Sequence, residues 1–247
     1  MSNAPEPFPS SSAGFEPTRW SVVVAAKGEQ TTLAREALED LCGAYWPPLY
    51  GFIRRSGYSP ADAQDLTQGF FERFIAKDYL SDVAQDKGRF RSFLLASLKH
   101  FLANQRDREK AEKRGGSIRI VPFEFENAES SYCIQPSHNL TPETIFEKQW
   151  ATTLLSRVLH RLKDQYQKSG KGKLFETLKE SLAGSKESLP YSTLAEQLEM
   201  TEAAIKVAVH RLRQNYRELL RDEISRTVAS PAEIEAELRY LFGVLSA

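Results

Sequence analysis

Tyr191-Ser-Thr-Leu-Ala-Glu-Gln-Leu-Glu-Met-Thr-Glu-Ala-Ala-Ile-Lys-Val-Ala-Val-His-Arg-Leu-Arg-Gln-Asn-Tyr216 is the stretch that decides the fold. It reads as two helices joined by a tight turn around Met200. Leu194, Ala195 and Leu198 share one side of the first helix, and Thr193-Leu194-Ala195-Glu196 has the spacing of a capping box at its start. Thr201 stands at the N-cap of the second helix, where a hydroxyl accepts an otherwise orphaned amide. From there Ile205, Val209, Leu212 and Tyr216 step by four, three and four, a buried stripe of helical period. Lys206, His210, Arg213 and Arg217 repeat that spacing on the opposite side, and Arg211 and Arg221 add charge. An apolar face that locks onto a partner helix, with a basic face left over, is what a helix needs to enter a major groove. An ordinary amphipathic helix with solvated bases shares the pattern. The short first helix, the turn and the capped basic second helix together favour the helix-turn-helix.

The same helical periodicity extends over most of the chain, so the expected class is all-α. Residues 1–17 hold four prolines and several serines and read as a flexible tail. Residues 18–114 read as one helical domain. Periodicity then stops across 115–140, where Gly115, Gly116, Pro122, Pro136 and the acids Glu124, Glu126 and Glu129 suggest an irregular linker. A second helical domain spans 141–224, and 225–247 forms a C-terminal helical extension. In that extension Ile234, Leu238, Leu241, Phe242 and Leu245 make an apolar stripe that must dock somewhere. The expectation is therefore two small helical domains on a linker. Ser59-Pro60-Ala61-Asp62 and Thr141-Pro142-Glu143 mark two helix starts, each with a capping hydroxyl, Pro in the first turn and an acid beside the helix dipole.

The first domain carries two more patterned segments. Ala63, Leu66, Phe70 and Phe74 form a helical stripe, with Asp62, Asp65, Gln68 and Glu72 away from it. This is either a solvated face on a core helix or a surface for a partner. Between Lys87 and Arg114 stand nine basic residues against three acids, with Phe90, Phe93, Leu94, Leu98 and Phe101 interleaved. Basic groups neutralise phosphates and aromatic rings stack on unpaired bases. The competing reading is that the rings are core and the charges a solvated helix end.

Composition restrains the rest. Lys+Arg and Asp+Glu are both 33 in 247 residues, so net charge does not point to nucleic acid and only its distribution does. Cys42 and Cys133 form no C-x-x-C, and the four His have no zinc-ligand spacing, so neither a metal nor a cofactor is expected. Cys42, in an apolar run, reads as a small packed hydrophobe. Val22–Ala26 is far too short an apolar run to cross a membrane, and the N-terminus lacks a basic signal region. A cytoplasmic location follows as the expectation.

Taken together, these segments resemble the extracytoplasmic-function group of the sigma-70 family, which carries regions 2 and 4 only. The resemblance rests on Asp62-Ala-Gln-Asp-Leu-Thr-Gln-Gly-Phe-Phe-Glu-Arg-Phe74, on Phe90-Arg-Ser-Phe-Leu-Leu-Ala-Ser-Leu-Lys-His-Phe-Leu-Ala-Asn104, and on Tyr191 to Leu220. Ala63, Asp65, Leu66, Gln68 and Phe71 match the family's region 2.2 motif, whose usual Glu after Gln is Gly69 here. The resemblance implies a region 2 helical bundle and a region 4 helix-turn-helix in a subunit that binds core RNA polymerase and directs promoter recognition. Asp62, Asp65, Leu66, Gln68 and Glu72 would meet the polymerase, chiefly the coiled coil of β′, with β a further partner. Arg89, Phe90, Arg91, Phe93, Lys99, His100, Asn104, Arg106 and Arg108 would lie near the −10 element. There Lys99-His100 replaces the usual Arg-Asn, and Asn104 the usual Asp. Thr201, Lys206, His210, Arg211, Arg213 and Arg217 would meet the −35 element. An anti-sigma factor or another regulator is a further implied partner. The main rival is a stand-alone helix-turn-helix regulator, which would leave the Asp65/Gln68 face and the Phe-rich basic segment unexplained. An anti-sigma-like interaction protein fits the two basic faces poorly. An enzyme is disfavoured because no phosphate loop, nucleophile elbow or paired catalytic carboxylates occur.

Overall fold

The computed structural model describes residues 32–76, 89–112, 140–182, 189–228 and 230–246, all helix, 3₁₀ turn or short connection, with no strand among them. Among the described residues eight α-helices follow one another: α1 (Thr32–Arg55), α2 (Pro60–Ala76), α3 (Phe90–Glu112), α4 (Pro142–Lys168), α5 (Gly172–Leu178), α6 (Tyr191–Leu198), α7 (Glu202–Ser225) and α8 (Ile234–Ser246). The all-α expectation holds. The tail at 1–17, Cys133 and the linker up to residue 139 lie outside the described residues.

Three of the four sequence-marked helix starts are built as expected. Ser59 Oγ accepts the Asp62 amide at 3.2 Å and donates to the Asp62 carboxylate at 2.7 Å. Thr141 Oγ1 accepts the Thr144 amide at 3.2 Å, and Thr201 Oγ1 accepts the Ala204 amide at 3.2 Å. The fourth differs. α6 begins at Tyr191 with Pro190 at the N-cap and no side-chain cap, so Thr193 and Glu196 lie inside the helix rather than in a capping box. Proline, whose fixed φ suits a helix start, has taken the cap position three residues earlier.

α4 is the axis of the molecule. Phe146, Trp150, Leu154, Val158, Leu162 and Tyr166 recur every four residues and are all buried. The first half of this 27-residue helix packs along α1, and it also contacts α5, α7 and α8. Trp150 Nε1 donates to the Tyr45 hydroxyl of α1 at 3.1 Å, and the Phe146 ring stacks on Tyr45 at 6.5 Å. Farther along, Tyr166 meets Phe175 of α5 at 5.9 Å. One hydrophobic cluster therefore runs from Tyr45 to Leu241. The sequence reading drew a domain boundary between α3 and α4; the buried cluster continues across it. The reason is that α4 is apolar toward two sides, and its first half finds its burial on α1. Arg55 reinforces the junction by donating to the Leu140 carbonyl at 2.6 Å.

Gly51 lets α1 approach α4 closely. A Cβ on Gly51 would stand 1.9 Å from Gln149 Oε1. The Gln149 amide is itself buried, and neither its oxygen nor its nitrogen has a hydrogen-bond partner among the described residues. A buried amide without partners is destabilising. Gln149→Met, similar in shape and free of that penalty, should raise stability by about 1 kcal/mol. Gly51→Val should lower it by about 1–3 kcal/mol by overpacking the same contact. Urea unfolding followed by circular dichroism measures both, and a stabilised Gly51→Val protein would show that the helices are not in contact there.

Candidate nucleic-acid interface

The helix-turn-helix is built as its sequence demands. Leu194 and Ala195 of α6 are buried with Ile205, Val209 and Leu212 of α7, and Tyr216 packs at the edge. Between the helices Glu199 takes the left-handed conformation, φ 54°, and the Met200 amide bonds back to the Ala195 carbonyl at 3.0 Å. α7 is thereby held by one face. On the other face Thr201, Lys206, His210, Arg211 and Arg217 are all exposed. Val207, half exposed, sits among them and gives the row an apolar member.

Arg213 departs from that row. Its Nε and Nη2 donate to the Ser181 carbonyl at 3.0 and 2.7 Å, which fastens the 3₁₀ turn Lys179–Leu182 to α7. Its place in the sequence periodicity put it on the basic face, but the long side chain is half-buried and reaches back to a carbonyl left over at the end of the turn. Arg213, expected at the −35 element, is instead bound to protein and holds the turn in place.

The basic segment of α3 changes more. Phe90 is fully buried, edge-on to Tyr45 at 5.0 Å and to Phe74 at 6.4 Å, and so belongs to the core rather than to a stacking surface. Phe93 is half-buried against Phe74 at 5.9 Å. Arg91 is only 4% exposed. Its Nε donates to Glu237 at 2.7 Å and its Nη1 to Glu147 at 2.6 Å, while its plane lies over Tyr240 at 3.9 Å and Trp150 at 4.8 Å. Arg89 adds a 2.8 Å bond to Glu237 and lies over the same Tyr240 ring at 5.7 Å. Burial alone would lower the Arg91 pKa; the Glu237 hydrogen bond and the charges of Glu147 and Glu237 outweigh it and hold the pKa raised. At Glu147 burial pushes the carboxyl up, against the pull of Arg91. Two guanidiniums thus face two carboxylates, one from α4 and one from α8. Arg89, Phe90 and Arg91 were expected to face DNA; here they are bound to protein.

Toward its C-terminal end α3 is open. His100, Asn104 and Arg108 are exposed. Lys99 pairs with Glu143 at 2.7 Å, an exposed bridge of small energetic weight. Arg106 donates to the Tyr58 hydroxyl at 2.9 Å and lies over that ring at 5.5 Å. On α2 Asp62, Asp65 and Glu72 are exposed, Gln68 donates to Glu72 at 2.9 Å, and Leu66 is half-buried on the core side. Asp62 is engaged in its own helix cap. Gly69 leaves room: an added Cβ would meet Phe101 Cζ at an ordinary 3.8 Å.

The sequence reading missed Glu147 and Glu237, the partners of the basic segment. Glu237 had a signal, since it lies three residues after Ile234 and four before Leu241 on the buried line of α8. The apolar stripe assigned to α8 is correspondingly turned: Ile234 and Leu241 are buried, but Phe242 and Leu245 are 54% and 41% exposed. Also missed was a second cluster, in which Arg161 bonds Asp222 at 2.7 Å and Glu223 at 2.9 Å, and Arg157 bonds Glu223 at 3.1 Å. It ties α4 to the C-terminal part of α7. Among the described residues no group of His, Cys, Asp and Glu could hold a metal ion, and no helix is long and apolar enough to cross a membrane. No family model, no curated protein and no solved structure matches the chain.

These contacts separate structural from exposed cations. Arg91→Ala should cost about 3–5 kcal/mol, because it leaves buried carboxylates without their counter-charge. Arg213→Ala should cost about 1.5–3 kcal/mol through its two charge-assisted bonds. Arg108→Ala and Lys206→Ala should stay within about 0.5 kcal/mol of the parent. Thermal melts of the four proteins test the ordering; an Arg91→Ala protein as stable as Arg108→Ala would remove the buried network.

Proposed function

We propose that the chain is an alternative sigma factor of the extracytoplasmic-function type, a cytoplasmic protein without catalytic activity that brings core RNA polymerase to promoters. The observation that carries this reading is the α6–α7 unit: a recognition helix fixed by its buried stripe, with Lys206, His210, Arg211 and Arg217 exposed along the outer face. Such a helix fits a major groove, where Lys and Arg bond guanine edges and Val207 suits a thymine methyl. This face would meet the −35 element. The exposed Asp65 and Glu72 of α2, with the half-buried Gln68 between them, supply the second surface the reading requires, a polar and acidic face for the polymerase β′ subunit. His100, Asn104, Arg106 and Arg108 form the open part of the surface assigned to the −10 element.

A stand-alone helix-turn-helix regulator is the second reading, favoured by one observation. Burial of Phe90 and Arg91 removes two of the groups that melted DNA would use, while the duplex-reading helix is left intact. The two readings differ on polymerase. Asp65→Ala with Gln68→Ala should weaken binding to core polymerase roughly tenfold, the loss of about 1.4 kcal/mol, with circular dichroism unchanged. Gly69→Glu, which adds a carboxylate to the same face, should strengthen it. Run-off transcription with core polymerase and a promoter library then reports the −35 preference, and Lys206→Ala should cost about 1–3 kcal/mol there. Duplex binding without any core binding or transcription would select the regulator.

A further inference from the structure

We infer that α8 is a cover, held in cis over the N-terminal end of α3, that closes the Arg89–Arg91 surface to nucleic acid until it is displaced. The inference rests on the proposed reading of α3 as a nucleic-acid surface and adds its regulation. Its observation is the position of Glu237. This residue is 1% exposed and accepts from Arg89 at 2.8 Å and from Arg91 at 2.7 and 3.3 Å. A carboxylate shared by two guanidinium forks uses the geometry in which Arg binds phosphate. Tyr240 lies over both guanidiniums, at 5.7 and 3.9 Å, where a base could otherwise stack. α8 therefore offers the same two chemistries, an anion and an aromatic ring, that single-stranded nucleic acid would bring.

The docking is of the kind that can be exchanged. A buried ion pair contributes little net stability compared with apolar packing, because desolvation offsets attraction. The apolar anchoring of α8 is modest: Ile234 and Leu241 are buried and Leu238 and Val244 partly so, whereas Phe242 and Leu245 stay exposed. On the outer side Arg221 pairs with Glu235, an exposed bridge between α7 and α8. A helix of 13 residues has marginal stability alone, so α8 released from its seat would unfold as it left. Affinity of the α3 surface for nucleic acid would then be lowered by the fraction of molecules whose cover is open.

The test uses the full chain and a fluorescein-labelled single-stranded DNA oligonucleotide, with anisotropy read over a series of salt concentrations. Glu237→Gln removes the charge, and Tyr240→Ala, at a partly exposed residue, loosens the seat while leaving Glu237 in place. Both should bind the oligonucleotide at least about tenfold more tightly than the parent. The salt dependence should steepen by about 0.7 for each phosphate that Arg89 or Arg91 newly contacts. Affinity for duplex, read by α7, should not change. In the parent, the oligonucleotide should speed amide hydrogen exchange in α8 and leave α7 unaltered. If Tyr240→Ala keeps native circular dichroism, the parent binds duplex, and neither single-strand affinity nor salt dependence moves, α8 is a structural helix and the cover is refuted while the wider reading stands. Failure of every protein to bind duplex and core polymerase would overturn that wider reading, and the cover with it.

Discussion

A guanidinium keeps its charge at any pH a protein survives, so burying Arg91 obliges the chain to bring carboxylates to it. They come from two distant places, Glu147 on α4 and Glu237 on α8. This requirement links three parts of the sequence that share no local signal. It fixes the N-terminal end of α3 against α4, and it seats the C-terminal helix. The ring stack of Arg91 on Tyr240 and Trp150, with Trp150 bonded in turn to Tyr45, extends the linkage to α1. Burial raises the Tyr45 hydroxyl pKa well above the ordinary value, and the charge of Arg91 and the Trp150 bond only partly oppose it.

α4 carries most of what depends on this. Its apolar residues face α1 and α7, and its charged residues reach outward to hold the neighbours in register. Lys163 and Lys179 together bracket Glu176, whose carboxyl is lowered to about 2 by the two hydrogen bonds. Such exposed bridges add little stability, so they set registry between α4 and α5 and leave the holding force to apolar burial. The Arg157/Arg161 cluster with Asp222 and Glu223 does the same between α4 and α7, closer to the core. With both sides of α4 engaged, α7 is carried on a helix that is itself packed against α1 and α5.

Much of the site was legible because it depends on local periodicity. The stripe Ile205–Val209–Leu212 and its exposed counterpart Lys206–His210 follow from 3.6 residues per turn, and so does the division of α2 into Ala63, Phe70 and Phe74 inside and Asp65 and Glu72 outside. Helix starts at Ser59, Thr141 and Thr201 follow from the chemistry of orphan amides. Long side chains were not legible in this way. Arg213 and Arg91 sit where the pattern puts a solvent-facing base, yet each reaches several ångströms to a partner that no spacing reveals.

The sequence by itself determined the helical class, the helix starts at Ser59, Thr141 and Thr201, the two-helix unit around Met200 and which face of α7 is exposed, because these are set by contacts within a few residues. Tertiary structure decided whether the helical blocks share a core, which of the arginines are free, and where α8 docks. Each of these depends on pairs far apart in the chain: Tyr45 with Trp150, Arg91 with Glu237 at a separation of 146 residues. A side chain's charge and periodicity state what it can bind. Only the fold states what stands within reach, and for a buried cation that neighbour decides whether it holds the protein together or meets a ligand.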